Sequence, residues 1–298
     1  MKMTHKVLKF LTEVAVLGML AAGLSGCGGA KPPILIGSGV DSTPERGREL
    51  VNGLAACGFC HGNKPEPFSV LSGGQIIKDR YGELVAPNLT QAKSGLRNWS
   101  DAEIVEALRS HIGKGRKLSS DAHLGTEWMS DSDVASIVRY VRKLPPIERE
   151  VEKRELTFLD KISNGLLEAR PVHKGYVAAI EPRYKEQYGK YLVEHVARCQ
   201  NCHNAPDSLM GEGRYLAGGR QIWRGYKFKV APGISNSKAQ GIGDWNISDI
   251  VDYFVTGTTP DGRAVDDYFC PVGFYKEASR SDLEAIATYL LSPSAVRR

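Results

Sequence analysis

Apolar residues recur at helical spacing in two separated stretches of the chain, and the order of elements is the same in both. In the earlier stretch Ile104, Val105 and Leu108 share one face of a helix predicted over 101–111. A second helix opens at Asp131-Ser132-Asp133-Val134, runs through Ile137, Tyr140 and Val141, and is stopped by Pro145-Pro146. In the later stretch Ile250, Val251 and Phe254 mark a helix over 248–256. A last helix opens at Ser281-Asp282-Leu283, carries Ile286, Tyr289 and Leu290 on one face, and ends before Pro293. Residues three and four apart lie on one side of a helix, so each set is a stripe that must be buried.

The intervening segments also correspond. Arg46-Gly47-Arg48-Glu49-Leu50-Val51 matches Tyr188-Gly189-Lys190-Tyr191-Leu192-Val193, each the end of a short helix. Gly73-Gly74 matches Gly218-Gly219, Ala86-Pro87-Asn88 matches Ala231-Pro232-Gly233, and Gly95-Leu96 with Trp99 matches Gly241-Ile242 with Trp245. The chain is duplicated. Trp99 and Trp245 are predicted core aromatics.

Six cysteines are present, and four fall into two copies of one pattern, Cys57-Gly58-Phe59-Cys60-His61 and Cys199-Gln200-Asn201-Cys202-His203. C-x-x-C-H is the attachment site of c-type haem. Two thiols spaced by two residues reach the two vinyl groups, and the adjacent histidine lies beneath the iron as the proximal ligand. Zinc and dithiol-exchange sites also use C-x-x-C, but two such pentapeptides, each with the same downstream context, favour two covalently bound haems.

The first 26 residues read as a signal peptide: Lys2, Lys6 and Lys9 precede an apolar run from Val14 to Leu24 that is too short to span a bilayer. Leu24-Ser25-Gly26-Cys27 resembles the bacterial lipoprotein box, which implies lipidation of Cys27 and a tether over 27–43. An ordinary signal peptide with a chance cysteine is the alternative. Acyl chains on Cys27 would hold the protein to a membrane of the bacterial cell envelope, facing the periplasm or the exterior. The formal charge is +5, of which the leader holds three lysines and one glutamate. Four haem propionates would bring the mature protein close to neutral. No basic run or basic stripe between aromatics is present, so nucleic acid has no footprint as a partner. The alternating charges of 148–155 read as a solvated connector.

Helix, haem loop, glycine-rich loop, helix and C-terminal helix resemble the class I cytochrome c fold, present twice. The resemblance implies an all-α protein of two tandem domains, 44–146 and 184–298, joined by a connector over 147–183, each a small helical shell around one haem. In detail the sequence is similar to the cytochrome subunits that take electrons from extracytoplasmic dehydrogenases. The implied function is electron transfer between a dehydrogenase or quinol-linked donor and a terminal acceptor such as an oxidase or another cytochrome. By the same resemblance the Pro87 and Pro232 carbonyls accept the proximal imidazole N–H, unless these prolines only stiffen the loop.

The family's usual distal methionine is missing from the later half, which has no Met after Trp245. Gly115-Arg116-Lys117-Leu118 aligns with Gly262-Arg263-Ala264-Val265. Seven residues past each arginine stand His123 and Cys270, in the loop before the last helix. Both are iron ligands, as neutral imidazole and as thiolate. Met129 is the alternative to His123, although its repeat partner is Ala278, and Cys270 could instead be a small buried hydrophobe or an intermolecular disulfide partner. Met210 lies in the wrong part of the fold, and His111, His173 and His195 read as helix-face or connector residues. His/His and His/Cys ligation imply lower potentials than His/Met, the second haem the lower. No cluster of protein acid, base or nucleophile suggests an enzyme. The rivals are a haem enzyme oxidising a sulfur compound at a Cys-ligated centre, as thiosulfate dehydrogenases do, and a di-haem peroxidase.

Overall fold

Helix α1 (Pro44–Asn52) opens with proline in its first turn, where the missing N–H is harmless, and with Thr43 as N-cap accepting from the Arg46 amide. The computed structural model containing it describes residues 41–79, 81–114, 116–159, 162, 175–207 and 213–296. The signal peptide, Cys27, most of the tether, His173 and Met210 lie outside the described residues. Helix α2 (Asp101–Ser110) is closed by a reciprocal capping box between Ser100 and Glu103 and ends at His111 in the left-handed region, φ 52°. Helix α3 (Asp131–Val141) is capped by Ser130.

The later half repeats this order. Helix α4 (Lys185–Tyr191) runs into a π-helical turn, Leu192–Val196. Helix α5 (Ile247–Thr256) has its own capping box, Asn246 with Asp249, and stops at left-handed Gly257. Helix α6 (Arg280–Leu290) is capped by Ser279. α1 packs on α3 and α4 on α6, and each crossing is made at a glycine. A Cβ on Gly47 would collide with the Ser136 carbonyl, and one on Gly189 with the Ala285 carbonyl.

The structure is mainly helical, but the glycine-rich loops are not plain loops. Strands β1 (Ile76–Asp79) and β2 (Gly82–Val85) form an antiparallel hairpin, and β3 (Gln221–Arg224) and β4 (Lys227–Val230) form its counterpart. A two-residue pair, Ile112–Gly113 with Arg116–Lys117, adds a third. The all-α expectation is corrected to this extent. Four-residue strands around a tight turn are too short for alternation to stand out from a loop.

The connector is also more ordered than a solvated tether at its start. The Ile147 carbonyl accepts from Asn88 and Thr90, Glu148 takes the Lys93 and Ser94 amides, and Arg154 forms a two-pronged ion pair with Asp79. Chain 147–154 is thus strapped along the first half.

The halves share one hydrophobic cluster, running from Leu50 and Val51 through Leu192 and Val193 to Tyr289 and Leu290. A buried polar knot joins them as well. Arg46 on α1 reaches Asp133 on α3 and Asp282 on α6, both at 3.1 Å. Tyr188 donates to Asp282 (2.9 Å) and Tyr191 to Asp133 (2.6 Å). Each aspartate is in the first turn of its helix, where negative charge is favoured. Burial works against the Arg46 charge, but Asp133, Tyr188 and Asp282 outweigh it and raise its pKa. No described helix is long and apolar enough to cross a membrane.

Candidate haem-attachment sites

Each C-x-x-C-H motif folds into a single helical turn, Gly58–His61 and Gln200–His203, closed by His61 N–H to the Cys57 carbonyl (2.8 Å) and His203 N–H to the Cys199 carbonyl (2.9 Å). On a helical turn residues three and four apart share a face, so the two cysteines and the histidine of each motif present together. The residue before each motif, Ala56 or Arg198, takes the left-handed conformation, at φ 45° and φ 56°. The described cysteines are all free thiols. Burial raises Cys57 to about 11 against the pull of Arg198, and raises Cys199 to about 12. Cys60 and Cys202 are raised too, again first by burial. A dithiol-exchange motif needs a depressed thiol; these four are the reverse. Among the described residues no three or more Cys, His, Asp or Glu converge on one point as a zinc site would require.

The two motif histidines are held alike. His61 Nδ1 lies 2.9 Å from the Pro87 carbonyl and His203 Nδ1 2.7 Å from the Pro232 carbonyl, the arrangement that the family resemblance implied. A carbonyl only accepts, so Nδ1 carries the proton and Nε2 keeps its lone pair in the neutral ring. Burial keeps both rings neutral by lowering their pKa, even though the carbonyls work the other way. The Gly-Gly pairs make this possible. Gly73 N–H bonds to the His61 carbonyl and Gly218 N–H to the His203 carbonyl, both glycines at positive φ. A Cβ on either would strike the Ala-Pro segment that positions the imidazole.

His123 ends a short turn, Ser120–His123, and its ring lies across from His61 with centroids 6.2 Å apart and planes 28° from parallel. Its Nδ1 lies 3.2 Å from the Ser119 carbonyl. Burial, then His61, Arg198 and His111, push its pKa down to about 3, so the ring is neutral. A histidine nitrogen sits about 2 Å from a first-row metal ion, so two imidazoles on opposite faces of one ion have centroids roughly 6 Å apart. Met129 is only 1% exposed and packs in the hydrophobic cluster just before the α3 cap. Cys270 lies beside Cys199 and Cys202, which together with burial raise its thiol. Pro271 after it starts the turn Val272–Tyr275.

Sequence periodicity gave no sign of how the two motifs meet. The His123 loop of the first half lies on the second motif: Asn201 donates to the Leu124 carbonyl (2.8 Å) and His195 Nδ1 to the Gly125 carbonyl (3.2 Å). The Cys270 loop of the second half lies on the first motif. There Phe274 packs edge-on against Phe59 at 6.2 Å and abuts Gly58. Arg224 from the second hairpin stacks 3.8 Å over Phe59 and donates to its carbonyl. The loop before the last helix of each half thus braces the C-x-x-C-H turn of the other. His111 and His195 both stand on helical positions, as read from the sequence: His111 caps the end of α2, buried 3.6 Å from Glu127 and next to the His123 ring, and His195 lies in the π-helical turn and reaches the Gly125 carbonyl of the other half.

No protein-family model matches the chain. Individual proteins do. Over 260 residues it is 31% identical to the fructose dehydrogenase cytochrome subunit of Gluconobacter japonicus, covering 81% of this chain and 51% of that one. The relatives are cytochromes. The match to a dihaem c-type cytochrome of Cereibacter sphaeroides is 28% identical and covers 87% of this chain and 88% of the relative. An alcohol dehydrogenase (quinone) cytochrome c subunit of Gluconobacter oxydans is 26% identical over 83% of this chain and 54% of its own length. The chain therefore spans about half the length of the dehydrogenase subunits it resembles, and nearly all of the dihaem cytochrome.

Proposed function

We propose that the chain is an electron-carrying c-type cytochrome with one haem bound covalently at each motif. His61 and His123 ligate the first iron, and His203 and Cys270 the second. The observation that carries the reading is the His61–His123 pair: two neutral imidazoles lie with ring centroids 6.2 Å apart, a separation that fits two ligands of one shared ion. The donor sets fit the group. Each offers two thiols for thioether bonds and a histidine whose proton is pinned by a proline carbonyl. Porphyrin nitrogens would complete a coordination that two protein ligands alone leave short.

Bound haem supplies a one-electron ferric–ferrous couple. The protein residues fix what that couple does. Pro87 and Pro232 orient the proximal rings and increase their donor strength. His123, in place of a thioether, stabilises the ferric state, and a Cys270 thiolate does so further, which makes the second centre the lower in potential. The crosswise bracing of the loops brings the motifs together, so an electron entering at one half has a short path to the other.

The named relatives supply the context: cytochrome subunits of fructose, alcohol and gluconate dehydrogenases. A dehydrogenase, in the cell envelope, is the donor we assign to this chain, with Cys27 as its lipid anchor. Cys270 beside the second motif also keeps the sulfur-oxidising enzyme as a second reading. Protein expressed with a haem-attachment system should gain the mass of two haems, show a pyridine haemochrome of two haems per chain, and turn over neither thiosulfate nor peroxide rapidly. A colourless product, or one haem only, overturns the proposal; fast thiosulfate oxidation would replace electron carriage with enzymatic oxidation.

A further inference from the structure

Arg198 immediately precedes Cys199, yet its side chain leaves the second half altogether. Its Nη1 donates to the Ala122 carbonyl at 3.0 Å, one residue before His123, and its Nη2 to the Ala55 carbonyl at 3.1 Å, two residues before Cys57. One planar guanidinium therefore bonds the proximal loop and the distal loop of the first site while its backbone is joined to the first cysteine of the second. Its third donor nitrogen, Nε, is buried and has no partner among the described residues, which leaves it for an acceptor that a bound haem would bring, such as a propionate oxygen. The equivalent residue in the first half is Ala56, equally left-handed but with nothing to reach across. Shape alone would accept alanine at both positions, so the arginine answers some other demand.

We propose that Arg198 couples the two haem sites: it holds the His123 loop in register with the second motif and, as a fixed positive charge between the centres, raises the reduction potential of both. The proposal rests on the haem reading above and deepens it. Reduction adds an electron to each centre, so a nearby cation favours the reduced form. The first site feels it more. Both guanidinium bonds go to first-half carbonyls, that of Ala122 next to His123 and that of Ala55 two residues before Cys57. Arginine is suited to the task because it cannot lose its proton and because its fork spans two acceptors, which lysine cannot do.

The test uses the full-length holoprotein and two variants, Arg198→Gln and Arg198→Lys, with haem content measured first. A spectroelectrochemical titration of R198Q should show both potentials lowered, the first haem by more, with about a tenfold change in its reduction equilibrium, which is about 59 mV for one electron. R198K, which keeps the charge but not the fork, should stay near the native potentials while the low-spin EPR signal of the first haem changes. Unchanged potentials in R198Q with two haems bound, or a larger shift at the second haem, overturn the coupling. If R198Q fails to bind its first haem, R198K decides: an EPR spectrum identical to the native one overturns the positioning role. Loss of colour in the native protein would instead remove the haem reading itself.

Discussion

The two halves of the molecule share one scaffold and differ in the side chains they set on it. Both seat C-x-x-C-H on a helical turn, both pin the histidine with a proline carbonyl, and both use a Gly-Gly pair to bring that proline close. Among the positions where they part, three stand out. His123 stands where the other half has Cys270, Ala56 where it has Arg198, and Phe59 inside the first motif where it has Asn201. The shared positions build the socket. The differing ones either supply the proposed distal ligands or reach into the opposite half: Phe59 meets Phe274, Asn201 meets Leu124, and Arg198 meets Ala55 and Ala122. On the proposed reading, duplication would supply a redox centre and asymmetry would join two of them into an ordered pair.

The largest expected effect is loss of one centre. Cys199→Ser with Cys202→Ser should remove the second haem, halving the pyridine haemochrome absorbance per chain while the first motif keeps its haem. The mirror pair at Cys57 and Cys60 should do the converse. Loss of both haems from either pair would mean that the halves do not load independently.

Next comes equalising the distal ligands. His123→Met and Cys270→Met each replace a stronger donor with a thioether, so each should raise the potential of its own haem. The shift should be on the order of 0.1 V, a modest part of the ~0.8 V that axial ligands span. A redox titration in which the wrong haem moves, or neither does, would sever the residue from its site. Met129→Leu, a volume-conserving change in the core, should leave both potentials in place and cost less than about 1.5 kcal/mol of stability.

A third test separates the halves mechanically. Arg46→Met leaves Asp133 and Asp282 without their shared cation and should destabilise the protein by roughly 3 kcal/mol, read by chemical denaturation. Visible spectra of the folded variant should stay native, since the knot lies away from the motifs.

The smallest effect is acid sensitivity at the Asp79–Arg154 pair of the first half. Burial works to raise Asp79, but hydrogen bonds from Arg154, the Tyr81 amide and Ser119 hold its pKa below the usual carboxylate range. A carboxylate depressed in the folded state adds stability that is full above its unfolded pKa of about 3.9 and is lost as pH falls through the folded value. Ser119 also offers its carbonyl to His123, so acid should loosen the first distal loop before the second. Asp79→Asn should remove up to about 1 kcal/mol at neutral pH and flatten the stability profile below pH 4.

Much of this was legible in the sequence. The four longer helices begin within one residue of their predicted starts, because Ser100, Ser130, Asn246 and Ser279 are side-chain caps and the apolar stripes behind them are regular. The motifs, and the repeat that picks out His123 and Cys270, are likewise patterns along the chain. The hairpins escaped because strands of four residues carry too little alternation. The strap at 147–154 escaped because its bonds run from backbone carbonyls and single charged residues to distant loops. Arg198 escaped for the same reason: its partners are main-chain carbonyls of Ala55 and Ala122, which leave no residue-type signature. What escaped everywhere is contact between the halves, since duplication predicts two similar units and is silent on how one leans on the other.

The most direct measurement of unlike distal ligation is low-temperature EPR of the fully ferric protein. Two overlapping low-spin signals in equal amounts, one of bis-imidazole and one of imidazole–thiolate character, are expected, with Cys270→Met abolishing only the latter. Two signals of imidazole–thioether character, or a high-spin centre in place of either, would contradict the assignment of His123 and Cys270.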